Sequence, residues 1–181
     1  MWGNTQAGWG IISIMLHWLS AITIVGLFAL GWWMTGLGYY DPWYNLGPWV
    51  HRSIGMLLFA ATLARIAWRW SQPTPRGHGS RLAILMAHLG HVMLYVTLLV
   101  VMTTGYLIST ADGSGINVFD WFVVPALVHG LPQQSVIAGD LHWYSAWALM
   151  LLAVGHSLAA FKHHFHDRYD TLRRMLKPTS R

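Results

Sequence analysis

Residues His142–His156 read HWYSAWALMLLAVGH. Histidine stands at both ends, and only Tyr144 and Ser145 between them are polar. No charged side chain occurs from Leu141 to Phe161. Such a run reaches the ~20 apolar residues that cross a bilayer. Ionisable side chains at membrane depth are costly and mark function, so the two histidines of this segment need an explanation.

The rest of the chain has the same character. Of 181 residues, 55% are hydrophobic and 9% charged, whereas soluble domains carry about 25% charged residues. Gly10–Met34 and Leu82–Ala111 are also free of charge. Gly47–Trp70 holds Arg52 near one end and Arg65 and Arg69 near the other. Long arginine stems can snorkel to the interfaces, so this segment can still span. The expected architecture is all-α: one integral membrane four-helix bundle, a single domain over residues 1–181. Its helices are expected at roughly 9–35, 46–70, 80–110 and 138–166. The first apolar segment lacks a basic leader and an obvious cleavage site, so it reads as a retained helix.

Basic residues are unevenly placed. Arg65, Arg69, Arg76 and Arg81 flank the loop between the second and third spans, and Lys162, Arg168, Arg173, Arg174, Lys177 and Arg181 follow the fourth. The opposite side has Arg52 against Asp41, Asp112, Asp120 and Asp140. The positive-inside rule puts both termini in the cytoplasm, which four spans satisfy. The basic balance is therefore a topology signal and gives no support for nucleic-acid binding. Membrane lipid is the surrounding partner.

Two connections stand out. Gly36–Leu46 and its flanks supply Trp32, Trp33, Trp43, Tyr44 and Trp49 to an interfacial belt. The outer connection contains INVFDWFVVPAL, residues 116–127, apolar but too short to cross. A surface-lying helix or a plug over the bundle end is expected there.

Absent residue types narrow the chemistry. Without cysteine there are no disulfides, thiolate metal sites, iron–sulfur clusters or Cys-x-x-Cys-His haem attachment. The acidic residues all sit at helix ends or in loops, which argues against a proton pump or a carboxylate di-metal site. What lies at depth is imidazole: His17, His51, His88, His91, His142 and His156. Imidazole alone suits haem iron, zinc or copper.

Depth sorts these histidines. Fourteen residues rise ~21 Å and turn through nearly whole revolutions, so His142 and His156 share a face but cannot share a metal. His51, about one turn into the second helix, is level with His142. His17, about two turns into the first, is level with His156. Two layers of two imidazoles are what two six-coordinate haems require, each porphyrin supplying the equatorial nitrogens. Small residues nearby (Ser145, Ala146, Ala153, Gly55, Ser13, Ser20) leave room for a flat macrocycle or allow close helix packing. His88 and His91 compete with His17 by spacing, or serve as a propionate, quinone or hydrogen-bonding contact. Arg52, beside His51, can hold a haem propionate or guide an anion. His163, His164 and His166 read as a solvated helix end, and His78 and His129 as loop residues. A rival from another class is a histidine-based transporter or channel for zinc or copper. The histidines could also be structural in a partner-binding membrane subunit.

The segments LHWLSA, HRSIGMLLFAATLARIAWR, AHLGHVMLYVTLLVVMTTGYL and HWYSAWALMLLAVGHSLAAFKHHF, with DTLRRM behind, resemble the bacterial cytochrome b561 family over nearly the whole chain. That family is related to the cytochrome b subunits of hydrogenases and formate dehydrogenases. The resemblance implies two non-covalent b haems stacked across the bacterial inner membrane. It assigns His51 and His142 to the outer haem and His17 and His156 to the inner one. It further implies electron exchange with ubiquinone and with a periplasmic donor or acceptor. One type in the family is a superoxide:ubiquinone oxidoreductase, so superoxide or a periplasmic electron carrier is the expected external partner.

Overall fold

The computed structural model describes residues 1–77 and 79–178; His78 and Arg181 lie outside the described residues. Four long helices form: α1 (Ile11–Met34), α2 (Trp43–Ser71), α3 (Arg81–Ser109) and α4 (Gln134–Phe161). Their 24 to 29 residues amount to about 36–44 Å, enough for a hydrocarbon core of ~30 Å. All four are apolar enough to cross a membrane, and most of their apolar side chains face outward. A lipid-facing bundle does this, because lipid tails are as apolar as leucine and give no reason to turn inward.

The helices pack as two pairs, α1 on α2 and α3 on α4, with α2 also touching α3. α1 approaches α4 through rings, Phe28 and Trp147 meeting at 4.9 Å. The core is small: Leu58, Leu98, Met102 and Leu149, backed by Ile24, Leu27, Phe59, Leu94 and Val101. Leu149 stands midway between His142 and His156, so this core fills the middle of the bundle.

Two helices start earlier than the apolar pattern suggests. α2 begins at Trp43, whose N–H donates to Asp41 Oδ1 at 2.8 Å. His51 consequently lies about two turns into its helix, not one. α4 begins at Gln134, a buried residue whose Nε2 donates to the carbonyls of Leu107 (3.0 Å) and Val128 (3.2 Å). Beyond Phe161, residues Lys162–His166 form one π-helical turn and Thr171–Leu176 a short α5.

Both chain ends lie at one end of the bundle. Buried Asn4 accepts from Gly10 N (3.0 Å) and Ser13 Oγ (2.7 Å), and its own N–H donates to Gln72 Oε1 (3.1 Å). Trp68 Nε1 donates to Ser13 Oγ at 3.1 Å, and Trp18 Nε1 to the Met175 carbonyl at 2.7 Å. Arg174 reaches the carbonyls of Ala7 and Arg76. Ser13 thus anchors this cap. In the turn after α4, the His163 imidazole and then Lys162 hold the Asp167 carboxyl below its usual range. That contact stabilises the fold above the ordinary carboxylate pKa and is lost as pH falls through the lowered one.

The connection between α3 and α4 is a β-hairpin, not a surface-lying helix. β1 (Ile116–Val118) pairs antiparallel with β2 (Phe122–Val124) and packs against α2. The turn holds Phe119 at φ 50° and Asp120 at φ 58°. For non-glycine residues that region costs roughly 1–2 kcal/mol each, so other contacts must hold them there. Fully buried Ser53 of α2 accepts from Phe119 N (3.2 Å) and donates to the Asn117 carbonyl (3.4 Å). The Phe119 ring lies between Trp49 (5.2 Å) and Trp121 (5.4 Å). Ser53→Ala strands these backbone groups and should cost about 1–3 kcal/mol. Thermal unfolding in detergent should show the loss, with proteolysis beginning within residues 112–124.

Candidate functional site: two imidazole pairs on one helix

α4 presents a histidine at each of two depths, and each meets another imidazole. At the end near the hairpin, the His142 ring lies 6.2 Å from that of His51 on α2. At the end near the chain termini, the His156 ring lies 6.3 Å from that of His17 on α1. A metal–imidazole bond is about 2 Å long. Two such bonds in line, plus half of each ring, span about 6 Å, so both separations suit two imidazoles on opposite sides of one metal. Among the described residues no three metal-ligating side chains converge on one point. Two facing protein nitrogens fall short of a zinc or copper cage. Two opposed imidazoles are the number that a six-coordinate porphyrin iron takes from protein.

The hairpin-side pair is built closely. His142 Nδ1 donates to the Val101 carbonyl at 2.8 Å, which leaves the Nε2 lone pair to point away from that contact. A second hydrogen bond of this kind fixes tautomer and ring orientation in metal-binding histidines. His51 Nδ1 is buried with no hydrogen-bond partner among the described residues. Glycines admit both rings. A Cβ on Gly31 would stand 3.0 Å from His51 Cε1, and one on Gly105 would stand 3.1 Å from His142 Cε1. Gly55, singled out by its place after His51, meets no other side chain there. Arg52 is exposed and its Nε donates to the Pro48 carbonyl at 3.2 Å.

The other pair has different company. Arg65 does not snorkel outward; its Nη2 donates to His17 Nδ1 at 3.0 Å, and its guanidinium lies 5.5 Å from the Tyr95 ring centre. Arginine only donates, so here His17 accepts at Nδ1 and its neutral ring carries the proton on Nε2. His142 has the opposite arrangement. His91 joins this layer, its ring 5.2 Å from His156. His88 is exposed on α3. His91 therefore belongs to the cluster and His88 does not. The residues that sequence reasoning missed are Gly31, Gly105, Val101 and Arg65. Only Arg65 carried a signal, a cation inside a span.

The profile of prokaryotic cytochrome b561 matches residues 8–178. The chain belongs to the prokaryotic cytochrome b561 family. It is 47% identical to cytochrome b561 homolog 2 of Escherichia coli (strain K12) over 179 residues, covering 98% of this chain and 95% of that protein. Cytochrome b561 homolog 1 of the same strain is 27% identical, covering 90% and 93%. A protein of Yersinia pestis named probable superoxide oxidase CybB is 25% identical, covering 91% and 93%. Family membership makes this a multi-pass bacterial membrane protein that binds haem b and transfers electrons.

The glycine contacts are open to test. Gly105→Ala should push the His142 ring off the Val101 carbonyl and cost about 1 kcal/mol, the low end of overpacking. It should also alter the haem absorption spectrum.

Proposed function

We propose that this chain is a di-haem b cytochrome of the bacterial inner membrane. It moves electrons between the ubiquinone pool and a redox partner on the periplasmic face, with both termini in the cytoplasm. His51 and His142 hold the outer haem, and His17 and His156 the inner one. The observation that carries this reading is the pair of ring separations, 6.2 Å and 6.3 Å, at opposite ends of one helix. Bound haem supplies one-electron chemistry; the protein sets ligation, spacing and dielectric.

The residues divide the remaining work. Val101 holds His142 with Nε2 presented. At the inner layer, ligation through His17 Nε2 requires Arg65 to release Nδ1, since one neutral imidazole has a single lone pair. The apolar core around Leu58, Met102 and Leu149 excludes water between the layers. His91, beside His156, is the proposed contact for the quinone head group.

The external partner follows from charge. Superoxide is the substrate named for the 25% identical relative. An anion is drawn by positive potential, and the outer face here sets Asp41, Asp112, Asp120 and Asp140 against Arg52. A partner that is not a small anion suits this surface better.

Haem content checks the reading first. Pyridine haemochrome against protein should approach two per chain; a stable value near one in fully loaded protein contradicts the two layers. His91→Ala should slow haem reduction by a quinol analogue and leave haem content intact. If haem is lost instead, His91 is a ligand and the inner pair is misassigned.

A further inference from the structure

The two imidazole pairs differ in how their Nδ1 atoms are bound. At the hairpin end, His142 donates from Nδ1 to the Val101 carbonyl, which leaves the Nε2 lone pair for a metal. His51 Nδ1 has no hydrogen-bond partner among the described residues, so His51 has no bond there to give up. At the other end, Arg65 donates to His17 Nδ1 at 3.0 Å, and the one proton of that neutral ring sits on Nε2. Both nitrogens of His17 are thus committed. A bond from His17 to a metal and the bond from Arg65 exclude one another, because a neutral imidazole has a single lone pair.

Arg65 also lacks a counter-charge. It is half-buried within α2, and its guanidinium lies 5.5 Å from the Tyr95 ring centre. Arg69 stands one turn further along the same helix, near enough for the two like charges to act on each other. Neither has an acidic partner among the described residues, where the ion pairs are those of Asp167 with Lys162 and His163. Two adjacent cations at a span end, without a carboxylate, call for an anion. A guanidinium pairs with a carboxylate through two parallel bonds, each roughly twice as strong as a bond to a neutral acceptor. Offered a carboxylate, Arg65 should leave His17.

We propose that Arg65 is a latch on the inner haem site. It holds His17 in the tautomer that cannot bind iron, and it lets go when a carboxylate of the incoming haem takes the guanidinium. His17 Nε2 then gives its lone pair to iron while the ring's proton moves to Nδ1, and no electron is transferred. The outer site, where nothing has to be released, loads first. The inner site selects, admitting a macrocycle that carries carboxylates and resisting one that does not. This inference rests on the proposed pairing of His17 with His156, and it adds the order of assembly and the residue that controls it.

The test uses full-length protein purified from cells at graded haem supply. Electron paramagnetic resonance follows the two low-spin signals, told apart with His142→Ala and His156→Ala protein. At limiting haem the outer signal should appear first. Half-loaded protein is then titrated with haem or with haem dimethyl ester, which has the same ring and no carboxylate. The inner site of the parent should bind the ester about tenfold to a hundredfold more weakly than haem, the worth of one charged hydrogen bond. In Arg65→Met the two should bind there within about threefold of each other. Arg65→Lys keeps a cation and a donor, and should restore part of the discrimination. The outer signal, retained in every variant at Arg65, reports that the bundle is intact. If Arg65→Met does not fold, the loading order and the ester titration of the parent decide alone. Ester that fills the parent's inner site as readily as haem, discrimination that survives in Arg65→Met, or an inner signal that appears first would overturn the latch. A parent that saturates at one haem would overturn the two-layer reading and the latch with it, whereas two haems without discrimination overturn the latch alone.

Discussion

Two imidazoles on one helix lie fourteen residues apart, in a medium without water to solvate them. Each must find a partner inside the protein, because an unpaired polar group in hydrocarbon is expensive. The bundle answers differently at the two depths. At one, His142 takes the Val101 carbonyl and faces His51; at the other, His156 faces His17 and His91. The glycines, the inward arginine and the thin core all follow from accommodating these rings. So does the loose meeting of α1 with α4, which touch through aromatic and imidazole rings.

The ends of the bundle carry most of the hydrogen bonds that join distant segments. At the basic end, Asn4, Gln72, Trp68 and Arg174 tie the two terminal segments and the α2–α3 loop together. At the acidic end, Ser53 fastens the hairpin onto α2. Hydrogen bonds concentrate where water competes and where loops need fixing. Within the spans, lipid surrounds the helices, and packing is joined by the few bonds that the histidines make, Arg65 to His17 and His142 to Val101.

The spans were legible in the sequence because each is a long apolar run whose length matches a bilayer. The histidine layers were legible because helical rise converts spacing into depth. Other features were not. Gln133 and Gln134 do not read as a helix start, since the bonds from Gln134 to Leu107 and Val128 join distant segments. The hairpin was hidden because its turn uses Phe119 and Asp120 in place of glycine. Gly31 and Gly105 matter through rings on other helices, which no local pattern reveals. Arg65 read as a snorkelling side chain, and its inward turn depends on His17 and Tyr95 standing opposite. His88 and His91 are three residues apart, and only the neighbouring α4 shows which one faces the cluster.

The central claim is that the two ends of the α4 segment serve separate haems. Low-temperature electron paramagnetic resonance of oxidised His142→Ala and His156→Ala protein tests it most directly. Each variant should lose or convert one low-spin bis-imidazole signal and retain the other, and the signal retained should differ between the two. Loss of the same signal from both variants, in protein that stays folded and keeps the other, would contradict the account. His142 and His156 would then belong to one site.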